Sequence, residues 1–124
     1  MLPLHRIAIA ALVVLLPAAA AAAPVTDAGH YRSCLAAASS SPAEALDDAL
    51  RWAKAGGGMP AQHCAALALV GMGRYGEAAT RLDALARARD VPDAKFRATL
   101  FDQAGNAWLL AGDGAIESSS LSSA

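Results

Sequence analysis

Two amphipathic helices joined by a glycine turn constrain this chain more than any other feature. Ala61–Met72 reads as one helix. Gly73 follows, and a glycine can take positive φ and end a helix at little cost. From Tyr75 onward, apolar residues stand at Tyr75, Ala78, Ala79, Leu82, Leu85 and Ala86. That spacing lays a single stripe along a helix of 3.6 residues per turn. Arg74, Glu77, Arg81 and Asp83 fall mostly off the stripe, toward water. A helix of this kind cannot bury its stripe alone and must pack on neighbours.

The same punctuation recurs along the chain. His30–Ala38 reads as helical, with Tyr31, Leu35 and Ala38 on one face and Asp27 as a candidate cap. Ser41, Pro42 and Glu44 form a capping-box pattern that opens a helix to about Ala55. Ala45, Leu46, Ala49, Leu50, Trp52 and Ala53 are its packing residues, and Gly56-Gly57-Gly58 stops it. Pro60 opens the next helix, in which Gly71 and the alanines allow close approach of a neighbour. Asp90-Val91-Pro92-Asp93 reads as a linker and cap. A long helix over about Ala94–Ala111 follows, with Phe96, Leu100, Ala104, Ala107, Trp108 and Ala111 as its stripe. Gly112-Asp113-Gly114 predicts a turn, and a weaker sixth helix begins near Ala115. The abundance of alanine and the scarcity of β-branched residues after the N-terminus favour an all-α fold.

The first 23 residues are of another kind. Arg6 gives a short positive end, Ile7–Leu16 is an unbroken apolar run, Pro17 breaks it, and Ala18–Ala23 supplies small residues. This is the layout of a secretory signal peptide, with cleavage expected after Ala22 and residues 24–29 as a lead-in. The apolar run is too short for a stable membrane span. The alternative is an uncleaved anchor. Export predicts a periplasmic or secreted location.

The segments share a register. Glu44-Ala45 and Glu77-Ala78 are 33 residues apart, as are His30 and His63. Phe101-x-x-Ala104-Gly105-x-x-Trp108 and Ala78-x-x-x-Leu82 supply a bulky residue, a small pair and an aromatic, then Ala and a bulky residue. In these positions the chain resembles the tetratricopeptide-repeat (TPR) family over roughly residues 30–117, with 118–124 a serine-rich tail or the start of a truncated helix. The resemblance implies antiparallel helix pairs stacked as an α-solenoid of about two and a half repeats. It also implies a concave face of first helices on which a protein or peptide partner docks. Carried over, that face would include His30, Cys34, His63, Leu67, Asp102, Gln103 and Asn106. The ordinary alternative for each is a solvated or packed helix position.

Cys34 and Cys64 lie in the first helices of adjacent units. Export and the repeat register make them a candidate disulfide, worth roughly 3 kcal/mol by the chain-entropy model. The alternative is two buried free thiols. His30, Cys34, His63 and Cys64 form a weak zinc set, because adjacent helix residues point about 100° apart. No metal or other cofactor is expected. Hydrolase, nucleotide-binding and zinc-protease motifs are absent, so no catalysis and no small-molecule substrate is expected. A net charge of −1 with mixed signs argues against nucleic acid as partner.

The expected function is an exported module that binds a protein or peptide of the cell envelope. The alternatives are a redox- or metal-responsive envelope protein using the two cysteines and two histidines, or the front of a longer repeat array.

Overall fold

The computed structural model describes residues 27–122, with side chains to residue 112, together with Pro3, Val13 and Val14. The expected signal peptide and cleavage site otherwise lie outside the described residues. Among the described residues there are five helices: α1 Asp27–Ser40, α2 Pro42–Lys54, α3 Gly58–Gly71, α4 Tyr75–Arg87 and α5 Ala94–Ser122. Among the described residues there is no strand.

The boundaries follow from local chemistry, with some corrections. α1 begins at Asp27, so the end of the expected lead-in is helical and the carboxylate sits in the first turn, where the helix dipole favours it. The expected capping box at Ser41 does not form. The Ser41 N–H donates to the Ala37 carbonyl at 2.7 Å while the Ser41 carbonyl accepts from Ala45, so one residue closes α1 and opens α2. Pro42 at the first helical position then suffices, since its missing N–H would have no partner there anyway. α3 starts two residues before Pro60, which is tolerated in a first turn. Gly73 adopts φ 74°, and the Arg74 N–H reaches back to the Leu69 carbonyl at 2.9 Å. This closes α3 in the left-handed manner that glycine favours. Asp93 caps α5: its Oδ1 accepts the Phe96 N–H at 2.7 Å.

The largest departure is at Gly112-Asp113-Gly114. No turn forms there, and α5 runs on for 29 residues in place of a separate sixth helix. A glycine inside a helix costs only about 1 kcal/mol relative to alanine and does not forbid it. Gly112 is not among the positive-φ glycines.

Each helix packs on the next, and α1 also packs on α3. α3 is the centre: Ala61, His63, Cys64, Ala65, Ala66, Ala68 and Leu69 are all buried, which a helix covered on several sides requires. The core around it is mostly alanine. Its largest fully buried side chains are Leu69, Leu82 and Leu100, with Cys64. Alanine contributes little apolar area but lets helices approach closely, so stability must come from many close contacts.

Gly71 shows how close the approach is. A Cβ there would lie 2.3 Å from the Ala38 carbonyl oxygen and 2.8 Å from the Pro42 Cβ. Gly71→Ala gains up to about 1 kcal/mol of helix propensity but incurs an overpacking penalty of about 1–3 kcal/mol. The expected result is a net loss of about 1 kcal/mol, read as a lower urea midpoint with an unchanged slope. A midpoint equal to or above that of the parent would show that α1 and α2 yield freely at this contact.

The α5 stripe is narrower than expected. Leu100, Ala104 and Ala107 are buried, but Trp108 is 46% exposed. It leans toward α4 instead, where its indole N–H points at Asp83 Oδ2 at 3.4 Å. Phe101 lies on the same flank beneath the Arg87 guanidinium, 5.4 Å from its ring centre.

Candidate functional site

Side chains of α1, α3 and α5 are tied together by one buried imidazole. His63 on α3 is only 4% exposed. The Tyr31 hydroxyl of α1 donates to its Nδ1. Its Nε2–H donates to Gln103 Oε1 of α5 at 2.7 Å. The Phe96 ring of α5 meets the imidazole edge-on, with centroids 5.4 Å apart. This set of partners fixes the neutral Nε2–H tautomer. Burial pushes the His63 pKa below its ordinary value, and the bond to Gln103 offsets that only in part. Burial likewise raises the Tyr31 pKa. No described side-chain nitrogen or oxygen is buried without a partner, so the network is complete as it stands.

Tyr31 and Phe96 do a second job. Above His63 they form two walls of a cleft of about 540 Å³. Met59, Pro60 and Pro92 complete its apolar lining, and Asp90 and Asp93 are its charged members. The cleft lies where the N-terminal ends of α1, α3 and α5 meet the α4–α5 linker.

The other expected site residues are distributed as follows. Gln103 is half-buried and committed to His63. Asp102 and Asn106 are exposed on α5, and Leu67 is half-buried on α3. His30 does not join His63. Its Nε2 bonds Asp48 Oδ2 of α2 at 2.7 Å, and its ring stacks on Trp52 with centroids 4.0 Å apart. His63 is itself an inner residue, so it can shape the face only through Tyr31, Phe96 and Gln103.

Cys34 and Cys64 form a disulfide across α1 and α3, with Cα atoms 6.1 Å apart. Both residues are buried, at 2% and 0% exposure. The four-residue zinc set therefore has no thiolate to offer, since a ligating cysteine must be a thiolate. Among the described residues no group of three or more His, Cys, Asp and Glu side chains could hold a metal ion. No described helix is long and apolar enough to cross a membrane.

Sequence reasoning missed Tyr31 and Phe96 as site residues. Both sit on apolar stripes, so periodicity assigns them to the core. Their pairing with His63 spans 32 and 33 positions and has no motif to mark it. No family model, curated protein or solved structure matches this chain.

Proposed function

We propose that this chain is an exported TPR-like module that binds a protein or peptide partner through the face formed by α1, α3 and α5, without catalysis of its own. The observation that carries the reading is the Tyr31–His63–Gln103 chain of hydrogen bonds, which joins one side chain from each of those three helices. The order of packing, each helix on the next and α1 on α3, suits helix pairs stacked as an α-solenoid of about two and a half repeats. A polar and apolar mixture of Leu67, Asp102 and Asn106 beside an aromatic cleft suits a peptide in extended or helical form. Export to the periplasm or outside the cell rests on the charge, apolar run and small residues of the first 23 positions. A redox-responsive role is less well supported, because both sulfurs are closed off from solvent reagents.

The test uses the exposed residues and spares Gln103, whose loss would strip a partner from His63. Asp102→Ala combined with Asn106→Ala should lower capture of an envelope partner from a native-host extract by at least about tenfold, the effect of losing about 1.4 kcal/mol. Melting should be unchanged. Protein recovered from that host should begin near Ala23. Undiminished capture by the double variant would move the binding face elsewhere.

A second reading is favoured by the outer flank of α5. Phe101, Trp108 and Leu109 are 40%, 46% and 67% exposed there, a surface that a further helix of a longer repeat array would cover. An in-frame continuation in the source DNA would decide for it.

A further inference from the structure

We propose that the cleft beside Tyr31 and Phe96 receives a basic side chain on an apolar stem, a lysine or arginine of the partner chain. The proposal rests on the peptide-binding reading and names what one subsite of that face selects. The cleft has two aromatic walls, Tyr31 and Phe96, with Met59 beside them. Such walls bury the methylene stem of a long cationic side chain and present ring faces to its charged end.

Asp90 and Asp93 supply the charge. Neither forms an ion pair among the described residues. One oxygen of Asp93 accepts the Phe96 N–H, and the other has no side-chain partner among the described residues. No lining residue is basic. The first turns of α3 and α5 also border the cleft, and helix N-termini favour anions through a partial charge of about half a unit each. Asp93 already caps α5, and Pro60 removes one N–H from the start of α3. Two full negative charges therefore outweigh the dipoles, and the cleft favours a cation. His63 holds both aromatic walls from beneath, so the shape is set before the ligand arrives.

The test titrates the full isotope-labelled chain, followed by NMR, with n-butylammonium, n-butylguanidinium and neutral n-butanol. The cations should shift amides around Tyr31, Met59 and Phe96 at concentrations about tenfold lower than n-butanol, the effect of about 1.4 kcal/mol of cation–π and ionic attraction. Asp90→Asn combined with Asp93→Asn should erase that preference. Asparagine also caps helices, so α5 should survive the change. Equal response to n-butanol, or a preference that persists in the double variant, overturns the proposal. A lysine peptide and its norleucine twin are titrated in parallel. If both bind equally along α1, α3 and α5, the basic-residue subsite is rejected and the binding face stands. If the small cations bind the cleft and no peptide binds anywhere, the cation site stands and the peptide reading falls.

Discussion

The reduced protein should melt far below the oxidised protein. The Cys34–Cys64 bond closes a loop between residues 30 positions apart, and such a loop contributes roughly 3 kcal/mol by restricting the unfolded chain. For a domain of this size about 1 kcal/mol shifts Tm by roughly 4–8 °C, so reduction should lower it by roughly 12–24 °C. The effect is large because the core is small. Leu69, Leu82 and Leu100 are its only fully buried large side chains among the described residues, and the rest is mainly alanine. The native protein should show no reactive thiol in denaturant until a reductant is added. Cys34→Ala with Cys64→Ala should reproduce the loss and remove its dependence on reductant. Two titratable thiols in denatured, unreduced protein, or equal melting with and without reductant, would count against the staple.

The second large effect centres on His63. Truncating it to alanine removes the ring that α1 and α5 share and leaves the Tyr31 hydroxyl and Gln103 amide without their partner. A loss of about 2–3 kcal/mol is expected. The pH dependence tests the same contact without a mutation. The folded pKa of His63 lies below its unfolded value of about 6.5, because burial disfavours the charged ring. Above about pH 6.5 both states hold a neutral ring and this group adds no pH dependence. As pH falls below that value the unfolded chain binds the proton first, so stability drops until the folded pKa is passed. Within that window the slope should approach at most about 1.4 kcal/mol per pH unit. The groups touching the ring are Tyr31, Gln103 and Phe96, none of them charged, so nothing nearby reverses the sign. Denaturant midpoints at pH 8, 6 and 5 should fall in that order for the parent, and the step should be smaller in His63→Ala. Parallel pH profiles for the two proteins would show that His63 is not the titrating group.

Helix existence was legible in the sequence because helix formation is mostly local. The stripe from Tyr75 to Ala86, the proline at position 42 and the glycine at position 73 each act within one or two turns. Even so, local signals overreached at Gly112-Asp113-Gly114. Glycines permit a turn but do not enforce one, and α5 continues through them. Ser41 similarly has the right chemistry for a side-chain cap, but its backbone already completes α1 and opens α2.

The candidate site was far less legible. Periodicity says that Tyr31 and Phe96 face inward, and it cannot separate a core aromatic from the wall of a cleft. His30 and His63 look equivalent by register, yet one stacks on Trp52 and the other is buried between three helices. Their difference comes from which helix lies opposite, and that depends on packing across more than 30 residues of chain. The sequence by itself determined an all-α chain, the bounds of α1 to α4 to within a few residues, the start of α5 and the close approach at Gly71. Only the tertiary structure decided that Tyr31, His63 and Gln103 form one hydrogen-bonded line, that Trp108 stays half in water, and that a cleft opens where α1, α3 and α5 begin. Helices follow from neighbours in sequence, whereas a site made of single residues from three helices exists only after those helices have packed.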